Sequence, residues 1–574
     1  MTTRCTPRRS RIPRWPIGLA VLLNACAWIA MGCTGAPPPA NAPAQDGAAA
    51  VDAGQPGWDG GQAGTDAAAP QDGDRSAEVG APTAVRPVAD TDPGAAVDAG
   101  SDAASDTGAV PDTVDTASDP SPAASLAFGL YAVQVSAVPG NPLACRVQWD
   151  TPQPADSVVS FGIDTFTLRA RDPQLALHHS VLVYGLHAET TYRLVARSTT
   201  PQGLTATAPE KQYLTAPLPQ GIQGAMVDVD AKQVDPLAWV LASVHLGQPA
   251  VGTALGFPGA AIAYDQAGYP VWFLQMPKSN NVLAAMQPGG QVMVMAEETS
   301  GLFNVAGDPL WQWLSAFDLK GASMLSSPMD GVPHHDMRLL PGGRVARLEF
   351  DVQDGKLGDR IVELDESQKV LWSWSTLDQM PGDDWPGLNS LRVSDNENHV
   401  LVSARNHSRV YFIERKTGAV QWSAGPGGSL KLQATPGASW FSLQHDAQLL
   451  ANGNLLVYDN GLPKRGYSRV VEYELDAAKG TATQVWECKG KAGEHWYSAG
   501  EGSAERWEDG RTLVAAPDYQ ATFPALSRIM VFAPDGELEW QIRLTPYQGK
   551  LPVVYRASKM VPPGLEPLAA GAEP

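Results

Sequence analysis

The chain has 574 residues, more than a single domain normally holds, so several domains or one large repeat fold are expected. It contains 56 Gly and 48 Pro but only 18% charged residues, which argues against a helical bundle and favours β-structure with many turns. The formal net charge of −20 makes nucleic acid a poor partner, because phosphate contacts need clustered Lys and Arg.

The N-terminus predicts export. Five Arg precede a short apolar run, residues 17–30, which ends at Met31-Gly32-Cys33. A basic start followed by an apolar run too short to span a bilayer is typical of a secretory signal. A Cys directly after Gly32 resembles a bacterial lipobox, so residues 1–32 are interpreted as a lipoprotein signal peptide and Cys33 as the lipidated residue. Cys26 is a competing site with a shorter apolar run, and an ordinary signal peptide is a further alternative.

Thr34, rather than Asp, follows the predicted lipidated Cys33. By resemblance to Gram-negative lipoproteins, this implies an exported protein anchored in the outer membrane, on its periplasmic or cell-surface side. The membrane is therefore an expected partner, through the lipid. Beyond Cys33 only Cys145 and Cys488 remain, in different predicted domains, so neither a disulfide framework nor a Cys-based metal site is supported.

Residues 33–124 are interpreted as a disordered linker. From residue 34 to residue 124 the chain carries 15 acidic residues against two Arg, with Trp58 as its only aromatic residue. A segment so poor in large apolar side chains cannot offset the entropy lost on ordering, and its like charges extend it. We expect a stalk that holds the folded part away from a membrane.

Residues 125–217 predict a small β-sandwich. Short runs with a period of two recur between turn residues, as in 130–135, 145–149 and 179–184. The pattern around Tyr192 resembles a fibronectin type III domain, with Trp149 as the expected core Trp.

Residues 218–574 contain an internal repeat that predicts a six-bladed β-propeller. A turn followed by an extended apolar run recurs roughly every 55 residues, and a second phrase, a turn followed by a strand ending in Trp, interleaves with it. The turn phrases are 288–295, 341–348, 396–402, 452–457 and 509–514, and the Trp phrases are 268–272, 367–372, 418–422, 480–486 and 536–540, with 317–321 filling the remaining place without its Trp. The whole fold is thus predicted to be all-β, and most Trp are expected to pack one blade on the next.

Two His occupy equivalent places in the repeat. His335-Asp336-x-x-Leu-Leu matches His445-Asp446-x-x-Leu-Leu, each directly before a turn phrase, so both His are expected at the same end of the central channel. A structural role and a functional role are about equally expected for two His residues at equivalent positions. A metal site built from His334, His335 and Asp336 is disfavoured, since adjacent residues of a strand point to opposite faces, and no metal is predicted.

The stretch 440–473 is similar to the bacterial arylsulfotransferase family, and the segments 401–405, 417–422 and 554–557 extend the match. The resemblance implies a six-bladed propeller that moves a sulfuryl group from a small aromatic sulfate ester to a phenolic acceptor, through a sulfated His and without a cofactor. Carried over by position, His445 is the nucleophile, His335 a supporting acid or base or a donor to the sulfuryl oxygens, and Arg405 the group that binds the sulfuryl oxygens. Asn389 and Asp446 are expected to bind substrate.

One position departs from the family. The phrase Asp-Trp-x-His-x-Asn-Ser of the family appears here as residues 384–390, with Gly387 in place of the His. Because Gly cannot transfer a proton, His407 is proposed as a replacement, on the condition that one strand carries both Arg405 and His407. A solvent-facing His407 is the slightly favoured alternative. A catalytically silent propeller that binds a ligand or protein at the cell envelope is the competing function.

Overall fold

The computed structural model describes residues 127–569, except for thirteen gaps. These are 233–234, 247–258, 277–281, 288–290, 297–299, 304–308, 314–330, 332, 381, 383, 491–494, 518–526 and 547–551. In the strands between 282 and 313 only the backbone is described. The predicted signal peptide, Cys33 and the acidic linker lie outside the described residues. No helix in the described part has the length and apolar character needed to cross a membrane.

The first folded region is one antiparallel sheet of seven strands. The strands, numbered along the chain, are β1 (Tyr131–Val138), β2 (Asn141–Gly162), β3 (Leu168–Tyr184), β4 (Thr191–Thr199), β5 (Thr205–Thr207), β6 (Lys211–Leu214) and β33 (Leu565–Pro567). The long strand β2 changes register against β3 between Asp150 and Ser157. Its first half pairs with β1 and its second half with β4, so the sheet is continuous through β2.

The core of this region contains the two aromatic residues that the sequence singled out. Trp149 is buried and donates its indole N–H to Ser198 Oγ at 2.9 Å. The hydroxyl of buried Tyr192 accepts the His187 N–H, five residues upstream, at 2.9 Å. Both polar tips are satisfied, which is what burial of these side chains requires.

The rest of the chain forms sheets of four or five strands in a β-propeller arrangement. The first consists of β32 (Pro552–Met560), β8 (Trp239–Leu246), β9 (Gly259–Tyr264) and β10 (Pro270–Met276), and the second of β11 (Val282–Gln287), β12 (Gln291–Ala296), β13 (Ser300–Phe303) and β14 (Pro309–Trp313). The third consists of β15 (Pro333–Leu340), β16 (Arg344–Gln353), β17 (Lys356–Leu364) and β18 (Val370–Ser375), and the fourth of β19 (Leu388–Val393), β20 (His399–Ala404), β21 (Arg409–Glu414) and β22 (Val420–Ala424). The fifth contains β24 (His445–Leu449), β25 (Leu455–Asp459), β26 (Arg469–Asp476), β27 (Thr481–Cys488) and β23 (Lys431–Leu432), and the last β28 (Ser503–Arg506), β29 (Thr512–Ala516), β30 (Arg528–Phe532), β31 (Leu538–Leu544) and β7 (Ala225–Val229). Within the described residues, three short helices lie in connections: Pro341–Gly343, Thr376–Gln379 and Pro463–Arg465.

Where six blades were expected, five of the six sheets are described as blades with packed side chains. Five sheets carry the Trp phrase on their outer strands and contribute side chains to hydrophobic cores. The phrase taken for the remaining blade, 317–321, has no Trp and lies outside the described residues. Of the sheet β11–β14 only the strand pairing is described.

The Trp phrases pack neighbouring blades together, as expected. Indole N–H groups donate to backbone carbonyls of another blade: Trp372 to Arg415 at 3.0 Å, Trp486 to Pro534 at 3.0 Å and Trp540 to Gln266 at 2.9 Å. Each bond joins an outer strand to a turn of the neighbouring blade, so the ring packs against that blade while its N–H is hydrogen-bonded.

The ends of the chain close the ring and join the two regions. The N-terminal β7 adds to β31 of the last sheet, while the C-terminal β32 pairs with β8 of the first. The next strand, β33, pairs with β3 of the first region, so the boundary proposed at residues 217 and 218 is crossed by a returning segment. Trp239 and Trp272 of the first blade lie in the same hydrophobic core as Trp149.

Candidate active site

The site lies where the first strands of the blades begin. His335 is near the start of β15, and His445 is the first residue of β24. Arg405 directly follows the last residue of β20. Because successive strands of a blade are antiparallel, first strands begin at the end where second strands finish. This topology places the three predicted side chains at one end of the propeller.

His445 is buried, and the proton on its imidazole is located by its neighbours. Its Nδ1 lies 2.7 Å from Asn460 Oδ1, and its Nε2 accepts the Glu501 backbone N–H at 3.1 Å. The Asn460 side chain is oriented unambiguously, since its Nδ2 donates to the Ser498 and Glu501 carbonyls at 3.0 and 2.9 Å. Nδ1 therefore carries the proton and Nε2 the lone pair.

Burial lowers the pKa of His445 to about 4, and the positive charge of Arg405 contributes to this shift. The Asn460 hydrogen bond and the charge of Glu501 act in the opposite direction but do not offset it. The imidazole is therefore neutral at physiological pH, which is the form in which Nε2 can act as a nucleophile.

A backbone bulge brings His335 against its neighbour. The pairing of β15 with β16 shifts between His334 and Met337, and His335 has a φ of 54°. The expectation that His334 and His335 point to opposite faces is therefore wrong, because the left-handed residue breaks the alternation. Their Nδ1 atoms lie 3.0 Å apart.

The pKa of His335 is well below its usual value. Burial is the main cause, and the charges of His334, His445, Arg405 and Arg556 act in the same direction. Arg405 thus affects both predicted catalytic imidazoles. It is itself buried, and it donates to Asn406 Oδ1 at 3.1 Å and to the Ala499 carbonyl at 3.2 Å.

The space beside Gly387 is not empty. Gly387 has a φ of 63°, and a Cβ atom there would lie 2.7 Å from Asn406 Nδ2. Asn406 Nδ2 also donates to the Trp385 carbonyl at 3.1 Å. Gly387 therefore leaves no room for an imidazole, because the Asn406 side chain occupies that space.

Asp446 and its equivalent Asp336 connect neighbouring blades. Asp446 Oδ2 accepts the Ala504 N–H at 3.2 Å, and its Oδ1 accepts from Arg392. Asp336 Oδ2 accepts the Leu391 N–H at 2.8 Å. Both carboxylates are buried and bond to the first strand of the next blade. The contacts described for Asp446 are therefore structural.

Asn389 is also buried and donates to the Gln444 carbonyl at 2.7 Å. Its Oδ1 has no hydrogen-bond partner in the described part of the protein. An unsatisfied buried acceptor at the base of this site is consistent with a substrate-binding role.

His407 does not meet the condition on which its role was predicted. Strand β20 ends at Ala404, and residues 405–408 form a turn, so Arg405 and His407 do not share a strand face. His407 Nδ1 lies 3.1 Å from the Tyr411 hydroxyl. Burial lowers its pKa, with the charge of Arg409 as the next cause.

Sequence reasoning missed five further residues at this site. Arg556 is buried and donates to Asp336 Oδ1 at 2.8 Å. It also lies beneath the Tyr555 ring. The Tyr555 ring is edge-on to the His445 ring, with ring centres 6.5 Å apart. Glu501 lies 3.3 Å from His245 Nε2 through its Oε2. The segments quoted for the family resemblance contain Tyr555, Arg556 and Asn460, which was the available signal; Glu501 and His245 lie outside them.

Comparison with known proteins assigns the chain to a family. The sequence signature described as Arylsulfotransferase (ASST) matches residues 227–529, more than half of the chain. The chain belongs to the arylsulfotransferase family. It is also 26% identical over 222 residues to the arylsulfate sulfotransferase AssT of Escherichia coli O6:H1, a match that covers 33% of this chain and 34% of AssT. The match thus spans about a third of that relative's length.

Solved structures show only distant similarity to this chain. TolB from Acinetobacter baumannii is 12% identical with a TM-score of 0.34, covering 64% of this chain and 80% of TolB. The periplasmic gluconolactonase PpgL of Pseudomonas aeruginosa is 11% identical with a TM-score of 0.30, covering 71% of this chain and 100% of PpgL.

Proposed function

We propose that this arylsulfotransferase family member transfers a sulfuryl group from a phenolic sulfate ester to a phenol through sulfated His445. The observation that carries the proposal is the environment of His445: a buried neutral imidazole whose proton is held on Nδ1 by Asn460, beside the charge of Arg405. Sulfuryl transfer needs a neutral nucleophile and a cation for the sulfuryl oxygens, and these residues supply both.

In the first step, His445 Nε2 attacks sulfur, the aryl O–S bond breaks, and the phenolate leaves with its electron pair. The incoming donor must displace the Glu501 N–H, which the Nε2 lone pair accepts in the unliganded site. In the second step, the acceptor oxygen attacks the same sulfur and the N–S bond breaks back to His445. Arg405 binds the sulfuryl oxygens in both steps.

The catalytically silent propeller is the second candidate, and the Gly387 position favours it. The family His is absent there, and Asn406 fills the space. A general acid or base contributes roughly 10²–10⁴ to a rate. In this alternative the residues around His445 bind an aromatic sulfate without turnover.

We further propose that the protein is exported and anchored in the outer membrane through lipidated Cys33, on the periplasmic or cell-surface side. The basic and apolar order of residues 1–32 and the acidic composition of residues 34–124 support this proposal. The linker would give the propeller reach from the membrane surface.

The test is p-nitrophenol release from p-nitrophenyl sulfate by the purified protein, with and without a phenol. We expect a burst without acceptor, steady release with acceptor, and a His445 peptide heavier by one sulfuryl group. His445→Asn should abolish both signals, and His399→Asn, at the far end of β20, serves as the matched control. Binding of the ester without any burst would support the silent propeller, and unchanged turnover in His445→Asn would rule out the covalent route.

A further inference from the structure

His334 is buried between two groups that determine where its protons lie. Its Nδ1 is 3.0 Å from His335 Nδ1, and its Nε2 is 3.3 Å from Asp359 Oδ1, an ion-pair distance without hydrogen-bond geometry. Asp359 has no exposed surface, and the His334 ring packs on Phe350 with ring centres 4.3 Å apart. The three polar side chains form a row that leads from the blade interior to the candidate site.

The hydrogen-bond partners along this row indicate which nitrogen atoms carry the protons. The Asp359 carboxylate accepts the Trp385 indole N–H and the Leu388 N–H, both at 2.8 Å, so it acts throughout as an acceptor. An unprotonated His334 Nε2 would face that carboxylate with a lone pair, whereas a protonated Nε2 is attracted to it. With its proton on Nε2, neutral His334 has its lone pair on Nδ1.

The tautomer of His335 follows from that of His334. Two Nδ1 atoms at hydrogen-bond distance share one proton, and His334 Nδ1 is the acceptor. The proton therefore belongs to His335 Nδ1, and the lone pair of His335 lies on Nε2. The left-handed backbone of His335 makes this contact between sequence neighbours feasible.

We propose that Asp359 and His334 are positioning residues that hold His335 in the tautomer with an unprotonated Nε2, which takes the proton of the acceptor phenol. This proposal rests on the proposed function. In the second step the phenol O–H proton moves to His335 Nε2, the phenol oxygen bonds to sulfur, and the N–S electron pair returns to His445 Nε2. The proton on His335 then passes to solvent. Removal of the acceptor's proton therefore does not require a His at position 387.

The charges around His335 favour its neutral form, so it can accept a proton and then release it. His334, His445, Arg405 and Arg556 all face it, and each disfavours a second proton on the ring. His335 is therefore available as a neutral acceptor, and after transfer it releases its proton readily. The alternative base, His407, lies on the 405–408 turn against Tyr411.

The tautomer can be measured without any activity. In the full chain with ¹⁵N-labelled His, assigned by comparison with His335→Gln, we expect the His335 Nε2 resonance in the unprotonated range and Nδ1 in the protonated range. His334→Phe keeps a ring on Phe350 but has no acceptor, so it should release His335 to the other tautomer. His399→Phe, a His-to-Phe change on a ring that stacks on Phe412 outside the site, is the matched control.

Kinetics then separate positioning from folding. With p-nitrophenyl sulfate, His334→Phe should leave the burst intact and lower turnover to the phenol by roughly 10²–10⁴. His334→Asn, whose amide oxygen can still accept from His335 Nδ1, should lose less, and Asp359→Asn should shift the tautomer in the same direction as His334→Phe. A wild-type His335 protonated on Nε2, or a tautomer unaffected by His334→Phe, would overturn the proposal whatever the activity. If the predicted tautomer is found in a protein without a burst, the positioning stands and the proposed function fails.

Discussion

Restoring the family His at position 387 should not improve this protein. In Gly387→His the new Cβ would approach Asn406 Nδ2 at 2.7 Å, and the backbone φ of 63° would have to be kept by a side-chain-bearing residue. A left-handed residue costs about 1–2 kcal/mol. The exposed Asn406 amide can swing away, but it then loses its bonds to Arg405 and the Trp385 carbonyl, each with a net contribution of about 0.5–1.5 kcal/mol.

The expected result for Gly387→His is a loss of about 2–5 kcal/mol in unfolding free energy, together with lower sulfuryl transfer. Transfer falls because Arg405 loses the Asn406 oxygen that orients it. The assays are denaturant unfolding and p-nitrophenol release. Gly387→Asn separates the two causes, since Asn tolerates positive φ but still brings a Cβ toward Asn406. Adding Asn406→Ala to Gly387→His should recover stability only in part. A stable Gly387→His with raised turnover would refute this reasoning.

Three further results are expected. Asn460→Ala should lower the burst rate by roughly tenfold or more, because His445 can then adopt the wrong tautomer. Asn460→Asp still accepts from Nδ1, so it should keep the tautomer and shift the acid limb of the burst rate to higher pH. Equal losses in both variants would indicate a purely structural role for Asn460. The burst rate of the wild type should stay level as the pH falls from neutral and decline only near pH 4, because the lowered pKa keeps Nε2 unprotonated above that value; a decline near 6.5 would show an ordinary His. Mass spectrometry of the mature N-terminus should find lipid on Cys33, and an unmodified start at Thr34 or later would exclude the anchor.

The repeat was the part of the fold that could be read from the sequence. Turn phrases such as 341–343 and 452–454 precede second strands, and the Trp phrases became outer strands, because both depend on local turn chemistry and a period of two. The phrase at 317–321 was misassigned, because the outer strand of the second sheet, β14, ends before it at Trp313. The pairing of β33 with β3 could not be foreseen, since it joins residues almost 400 positions apart.

The site was predicted less completely, for a reason visible in the backbone. Alternation along a strand was used for His334 and His335 and again for Arg405 and His407. In the first pair a non-Gly residue in the left-handed region reverses the direction of one side chain, and in the second the strand stops at Ala404. His334 and His335 include no Gly or Asn to signal such a break, whereas Asn406 was an available signal for the second one. The contact of Asn460 with Glu501 depends on packing across 41 residues and has no local signature.

The buried charges at the site explain how a neutral nucleophile and a cation can coexist there. Asp336 and Asp446 lie next to His335 and His445 in sequence, yet they accept from Arg556, Arg338 and Arg392 rather than from the imidazoles. The carboxylates therefore do not draw protons onto the His residues, and Arg405 and Arg556 lower the pKa of both. Without a His at position 387, the site has no acid there to protonate a poor leaving group. The charges of Arg405 and Arg556 around the two His residues are unchanged by that loss. We expect the fastest donors to be esters whose phenolate leaves unprotonated, and the preference for such donors to be steeper than in a relative that retains the His.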